Sequence, residues 1–231
     1  MWGNFRYMKI VFATSCHPGS FNFLKNGGFE DKINDIDYPF NERWIILNNG
    51  DEDLFTETFK KRADKVIVSS KMAYDVLNFF KLDFPDFQQG RFNGYLYSIA
   101  PLTQLFLAKD FDYVCYMCPD VRMARHSHWI EDGLKSIKGP MVAARPRRWP
   151  SPDFETIKKT QVFSDHCYLI PTGIFRNPDV YKYKKTKKEF KIFSWYGGDN
   201  FEVKISKFLY GTHQYEKIIG SGEIIHSDNY E

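Results

Sequence analysis

The stretch YVCYMCPDVRM, residues 113–123, decides how the rest of this sequence is interpreted. Its first half is a continuous apolar run, which is typical of a strand that is buried on both faces of a sheet. The run stops at Pro119-Asp120, a pair that ordinarily forms a turn. Asp120 therefore has two interpretations: a turn residue, or a carboxylate that the end of a strand presents to a ligand.

Similar apolar runs occur elsewhere in the first 150 residues, and patterns typical of helices separate them. Strands are predicted at 9–14, 43–49, 64–70, 112–117 and 140–145, and helices at 53–63, 71–80, 94–110 and 127–139. This alternation predicts an α/β fold with a mostly parallel central sheet flanked by helices. Within 94–110 we expect Ser98 to cap the helix and Pro101 to lie in its first turn.

The pattern becomes irregular after Pro150 and Pro152. Shorter strands are predicted at 166–175, 189–198 and 222–227, and a helix at 200–209. We expect a single domain over residues 1–231, in which 1–125 forms the α/β half and 126–231 forms a more irregular half with a C-terminal tail.

Composition limits the classes of function. The chain has 231 residues, of which 43% are apolar, so it can bury a sizeable core. Its net charge of +3, from 32 basic and 29 acidic residues, argues against nucleic acid as the main partner. The sequence shows no apolar leader and no run long enough to span a membrane, which predicts a soluble, cytoplasmic protein with free thiols.

Polar residues follow several of the predicted strands. In open α/β sheets, ligands bind beyond the carboxyl ends of the strands. Thr14-Ser15, His17, Asn48 and Asp120 are therefore candidates for one shared crevice. Each is also compatible with an ordinary polar strand end. Cys115 and Cys118 do not predict a zinc site, because side chains three apart in a strand point to opposite faces.

Residues 91–123, RFNGYLYSIAPLTQLFLAKDFDYVCYMCPDVRM, resemble the donor-binding segment of GT-A type glycosyltransferases, in particular small lipopolysaccharide, capsule or large-DNA-virus enzymes. The likeness is a helix, then AKDFDYV at 108–114, then an acidic motif that ends at Asp120. It implies a Rossmann-like, nucleotide-sugar-binding half at 1–125 and an acceptor-binding half at 126–231. A viral source would place the protein in the host cytoplasm.

The implied reaction is transfer of a hexosyl group from a UDP- or GDP-sugar to a hydroxyl of a glycan or glycoconjugate. The resemblance implies donor contacts from seven residues: Thr14, Ser15, Asn48, Arg91, Asn93, Cys118 and Asp120. It also implies a general base, Asp165 or Asp199, if the transfer inverts configuration. Asp165 is equally compatible with a surface strand end, and Asp199 with a helix N-cap.

The acidic motif departs from the family pattern, because Cys118 stands where the first aspartate is usual. The resemblance still implies that Asp120 holds Mn²⁺ or Mg²⁺, with His226 from the tail completing the coordination. A metal-independent site is the alternative, in which arginines hold the diphosphate: Arg91, Arg122, Arg125 or Arg145. A non-catalytic nucleotide- or glycan-binding module derived from such an enzyme is the alternative function.

Overall fold

The computed structural model of the chain describes residues 8–48, 51–80, 92–123, 128, 130, 131, 134, 142–146, 167–177 and 217–226. At 92–98, 142–146 and 217–226 the description is of the backbone. Within these ranges eight strands form one sheet in the order β3-β2-β1-β4-β7-β6-β8-β5. The strands are β1 Ile10–Cys16, β2 Glu42–Leu47, β3 Lys65–Val68, β4 Tyr113–Met117, β5 Val121–Met123, β6 Val142–Pro146, β7 Cys167–Pro171 and β8 Lys217–His226.

The first four strands in this order, β3, β2, β1 and β4, are all parallel. They are the strands that the apolar runs predict, and the central ones are buried on both faces as expected. Strand β1 extends two residues beyond the predicted end at Thr14. Its polar Thr14 and Ser15 continue the ladder against β2, where Ser15 is the register partner of Ile46.

The other half of the sheet is mixed. Strand β7 runs antiparallel to β4 and to β6, β8 runs parallel to β6, and β5 runs antiparallel to β8. The prediction of an α/β fold with a largely parallel sheet is confirmed. The strand predicted at 166–175 is too long, because β7 ends at Pro171 and Thr172–Phe175 is helical. A proline cannot donate to the ladder, which explains why pairing stops there.

Helices cover both faces of the sheet. They are α1 Pro18–Phe23, a π-helical turn Leu24–Gly28, α2 Phe29–Ile36, α3 Glu52–Phe59, α4 Ser69–Phe80, α5 Phe92–Leu107 and α6 Thr172–Phe175. Apolar residues of α4 and α5 pack against one face of the sheet. Those of α1, α2 and α3 pack against the other face. The core therefore has two layers, one on each side of β1 and β4.

The helical segment from Pro18 to Ile36 was not expected from the sequence. His17 caps α1, because its Nδ1 accepts the Gly19 N–H at 3.2 Å while Ser20 Oγ accepts the His17 N–H at 3.0 Å. The break between α1 and α2 uses two glycines. Gly27 has a φ of 112°, and a Cβ at Gly28 would lie 2.5 Å from the Phe23 ring. The pairs Pro18-Gly19 and Gly27-Gly28 interrupt the apolar pattern of the sequence, so hydrophobic periodicity does not reveal these short helices.

The predicted position of Pro101 is wrong. Helix α5 begins at Phe92, so Pro101 lies in its interior and Ser98 does not cap it. Packing explains this placement, because Ile99, Leu102 and Leu105 are buried against the sheet around Pro101. Their burial offsets the loss of one backbone hydrogen bond.

Several predictions lie wholly or largely outside the described residues. They are the helices at 127–139 and 200–209 and the strand at 189–198. The division into halves at 125 and 126 also stays a prediction. In the described part of the chain, no helix combines the length and apolar character that crossing a bilayer requires.

Candidate functional site

The carboxyl ends of β1 and β4 meet where the order of the strands reverses. From β1 the chain proceeds to β2 and β3 on one side, and then returns to place β4 on the other side of β1. This is the position where open parallel sheets leave a crevice for ligands. His17 follows β1 directly, and Cys118-Pro119-Asp120 follows β4. The topology therefore brings His17 and the acidic motif to the same edge.

The acidic motif forms a tight turn at this edge. The Val121 N–H donates to the Cys118 carbonyl oxygen at 3.1 Å. Pro119 is buried and Asp120 is half-buried, and β5 begins directly after them. Proline at the second position of a turn fixes the backbone angle that the turn requires. Pro119-Asp120 is thus a turn, and the same turn presents Asp120 beyond β4.

A buried lysine lies beneath this turn. Lys32 of α2 has no exposed surface, and its Nζ donates to the carbonyl oxygens of Cys118, at 3.1 Å, and Val121. Burial lowers the pKa of Lys32 to about 8, while the negative charge of Asp120 acts in the opposite direction. No sequence pattern singled out Lys32, because its role depends on the tertiary packing of α2.

Arg122 ties the end of the turn to the same helix. Its Nη2 and Nε contact Oδ2 of Asp35 at 2.9 and 3.1 Å, and Asp31 lies 3.7 Å from Nη2. Asp35 is itself buried. Arg122 therefore ties the turn to α2, and its interpretation as a diphosphate ligand stays a prediction. Of the other proposed diphosphate ligands, Arg91 and Arg125 lie outside the described residues, and Arg145 is described in its backbone alone.

His17 is electrostatically coupled to Asp120. Partial burial lowers the pKa of the imidazole, and the Asp120 carboxylate opposes that shift. The ring also accepts the Gly19 N–H through Nδ1, which fixes its orientation at the start of α1. The candidate crevice thus contains a carboxylate and an imidazole from two adjacent strand ends.

The three donor-binding candidates near β1 and β2 are all buried. Asn48 follows β2, and its N–H donates to the Cys16 carbonyl oxygen at 2.7 Å, so it shares the edge with His17. Ser15 Oγ accepts the Tyr116 hydroxyl at 3.0 Å. The Thr14 hydroxyl is buried with no hydrogen-bond partner in the described part of the chain. Thr14 and Ser15 lie inside β1, slightly below the edge.

The remaining candidates are only partly placed. Arg91, Asp165 and Asp199 lie outside the described residues, so their roles stay predictions. Asn93 lies in the first turn of α5, where a backbone position is described. His226 ends β8, and its Cα pairs with that of Val121, the residue that follows Asp120. The sheet thus places the tail histidine opposite the residue that follows the acidic motif, although His226 and Val121 are 105 residues apart in sequence.

Solved structures with a similar fold were found, although the sequence itself matches no known family. No family model and no curated protein match the sequence. The crystal structure of mouse xyloside xylosyltransferase 1 in its apo form is similar over 96% of this chain and 97% of its own, with a TM-score of 0.51 and 7% identity. This chain has a GT-A fold. The prediction of that fold, made from residues 91–123, is confirmed.

A second structure shares this GT-A fold. Residues 1–349 of TarS from S. aureus are similar over 95% of this chain, with a TM-score of 0.53 and 12% identity. This chain spans 60% of that longer protein. At these identities the likeness concerns the fold, and the chemistry has to be argued from the residues.

The four cysteines give a direct test of which edge of the sheet is accessible. Cys16, Cys115 and Cys167 are buried, whereas Cys118 is partly exposed. Burial raises the pKa of Cys16 to about 12 and raises that of Cys115 as well, which keeps both as unreactive thiols. We predict that iodoacetamide modifies Cys118 at least roughly tenfold faster than the others under native conditions. Peptide mass spectrometry over time measures this, and faster labelling at Cys16 would contradict the described edge.

Proposed function

We propose that this chain is a glycosyltransferase that moves a sugar from a nucleotide diphosphate sugar to a hydroxyl of a glycan or glycoconjugate. The single observation that supports this most is the Asp120 turn, which lies at the carboxyl ends of β1 and β4 in a GT-A fold. The likeness to mouse xyloside xylosyltransferase 1 over nearly the whole of both chains supports the fold in which this turn is placed. We further propose a UDP- or GDP-sugar donor and a hexosyl group.

The residues at the turn fit a divalent cation that is shared with the substrate. A carboxylate repels a diphosphate, so a contact between Asp120 and the donor phosphates would need a cation between them. Mg²⁺ and Mn²⁺ favour oxygen ligands and are often held by one or two carboxylates together with substrate phosphates. In the described part of the chain no cluster of three ligating side chains occurs. We therefore propose a site with few protein ligands, in which phosphate oxygens of the donor complete the coordination.

Within this proposal, Asp120 is the main metal ligand and His226 is the second one. The pairing of β5 with β8 supports the histidine, because its Cα lies opposite Val121. Cys118 takes the place of an oxygen ligand, and a thiol is a poor partner for such hard cations. The bound cation would offset the negative charge that develops on the leaving diphosphate. Asp165 and Asp199 remain the proposed bases for an inverting transfer.

The buried polar groups below the edge suit the nucleoside part of the donor. Thr14 offers a buried hydroxyl with no hydrogen-bond partner in the described residues, and a group of this kind is generally satisfied by a partner. Asn48 is buried at the end of the adjacent strand, where it shares the edge with His17. We propose that they contribute to binding of the base or ribose, while Asn93 and Arg91 act on the phosphate side at the start of α5.

A panel of nucleotide sugars tests the proposal in its general form. We expect UDP- or GDP-sugars, but not CMP-sugars, to raise the melting temperature, with a larger rise when Mn²⁺ is present. A donor at a hundred times its Kd stabilises the native state by about 2.7 kcal/mol. Differential scanning fluorimetry with each donor, with and without Mn²⁺, measures this. No stabilisation by any nucleotide sugar would contradict the proposed function.

Two further measurements separate the parts of the proposal. Donor hydrolysis and transfer assays distinguish an enzyme from a non-catalytic binding module, which would bind the nucleotide sugar without turnover. The same panel on a His226→Ala variant tests the second ligand, since an unchanged Mn²⁺ effect would remove His226 from the site. Donor stabilisation that is independent of Mn²⁺ would favour the metal-independent site instead.

A further inference from the structure

A lysine that is completely buried carries an energetic cost that its surroundings must offset. Lys32 has no exposed surface, although lysine is among the residues least often buried in full. An ammonium group removed from water must be paired or hydrogen-bonded. The hydrogen-bond acceptors of Lys32 therefore indicate its role, because a lysine is tolerated in the core only where such acceptors are present.

Those groups belong to the turn that carries Asp120. The two acceptors of the Lys32 Nζ are the backbone carbonyls of Cys118 and Val121, which flank Pro119 and Asp120 on either side. The Cys118 carbonyl also accepts the Val121 N–H, so the bond that closes the turn and the bond from the lysine share one oxygen atom. Lys32 consequently fixes both ends of the turn from below.

A second contact between α2 and this part of the chain is made by Asp35. Asp35 lies three residues after Lys32 in α2, so the two side chains project from one face. Asp35 accepts two hydrogen bonds from Arg122, at 2.9 and 3.1 Å. Lys32 contacts residues 118 and 121 while Asp35 contacts residue 122, so α2 holds the turn and the first part of β5 together.

From this geometry we propose that Lys32 is a positioning residue, which fixes the turn of residues 118–121 and thereby holds the Asp120 carboxylate at the donor crevice. The link to the donor rests on the proposed glycosyltransferase function. Lys32 does not touch the donor in this scheme, since it is buried beneath the turn. Its charge and its two hydrogen bonds act through Asp120, and an apolar residue of the same length would fill the space without fixing the turn.

The first test needs no ligand. In a Lys32→Met variant of the full chain, we expect amide hydrogen exchange at residues 118–122 to become at least about tenfold faster, because the partly buried Cys118 carbonyl and the buried Val121 carbonyl each lose a donor. Lys25→Met is the matched control, since Lys25 belongs to the same helical segment but is exposed. Exchange followed by mass spectrometry measures both. Unchanged exchange at 118–122 in Lys32→Met, or an equal increase in Lys25→Met, would overturn the proposal.

The second test asks whether Lys32 acts through Asp120. Isothermal titration with UDP and with GDP, each with Mn²⁺, should show at least about tenfold weaker binding in Lys32→Met and near-normal binding in Lys25→Met. In an Asp120→Asn background, Lys32→Met should weaken nucleotide binding by less than about a further threefold. The effects of two substitutions are not additive when one residue acts through the other. If the effects of Lys32→Met and Asp120→Asn on binding were fully additive, Lys32 would have only a general stabilising role, and the proposal would be overturned.

A third variant covers the case in which Lys32→Met does not fold. Lys32→Arg keeps a buried cation with several donors, so it should preserve slow exchange at 118–122 better than Lys32→Gln does. Equal exchange in these two variants would argue against the proposal. If the proposed function is wrong, the wild-type chain should bind neither UDP nor GDP. The exchange experiment would still decide whether Lys32 fixes the turn.

Discussion

Replacing Asp120 with asparagine is expected to lower sugar transfer by roughly two to three orders of magnitude while the chain stays folded. Asparagine has nearly the same shape and suits the same turn, so the Cys118 to Val121 hydrogen bond should persist. The amide carries no charge, however, and cannot hold a divalent cation against a diphosphate. Initial rates with the donor from the nucleotide-sugar panel, together with circular dichroism, measure both effects.

A matched control is available ten residues earlier in the chain. Asp110 is exposed in the loop that precedes β4, so Asp110→Asn makes the same chemical change away from the crevice. Its activity should stay within about twofold of the wild type, because surface substitutions of this kind have small effects. Full turnover in Asp120→Asn would remove the central claim of the proposed function, whatever the control shows.

Replacing Phe12 with alanine should destabilise the fold by about 3–5 kcal/mol. Phe12 lies on the central strand β1 and has no exposed surface. Its ring centroid lies 6.4 Å from that of Phe29 in α2 and 5.2 Å from that of Phe40. The substitution leaves a cavity between the sheet and the helix that carries Lys32. Denaturant unfolding monitored by tryptophan fluorescence measures the free energy of unfolding.

An exposed apolar residue serves as the control for this core substitution. Leu54 of α3 has 48% of its surface exposed, so Leu54→Ala should change the free energy of unfolding by no more than about 0.5 kcal/mol. A cost at Phe12 as small as the one at Leu54 would show that α2 does not pack on β1 as described.

The parallel part of the fold was predictable because its signal is local. Strands that are buried on both faces are mostly apolar, and the buried apolar runs of β1, β2 and β4 show this, although Thr14 and Ser15 at the end of β1 are polar. The hydrophobic stripes of α4 and α5 are equally visible. The signal fails at Pro18–Ile36, where a break at Gly27-Gly28 divides the pattern into pieces too short to show a period. It fails again at β5, which has three residues.

The candidate site was predictable only in part. Asp120 stood out because a carboxylate directly follows an apolar strand, and His17 and Asn48 because they also follow strand ends. The roles of Lys32 and Asp35 had no such signal, since a lysine and an aspartate in a polar helix ordinarily face solvent. Arg122 was interpreted as a possible phosphate ligand, whereas it pairs with Asp35. Contacts across 87 residues leave no trace in local composition.

By itself, the sequence determined that this chain forms an α/β sheet with an acidic turn at the end of a buried strand, because apolar runs and turn residues act on their immediate neighbours. The tertiary structure alone decided what surrounds that turn. It placed Lys32 beneath residues 118–121, His17 and Asp120 at the same edge of the sheet, and the Cα of His226 opposite Val121. These groups meet because the strand order reverses between β1 and β4 and because β8 returns to β5. Both are consequences of how the whole chain packs, and no single segment encodes them.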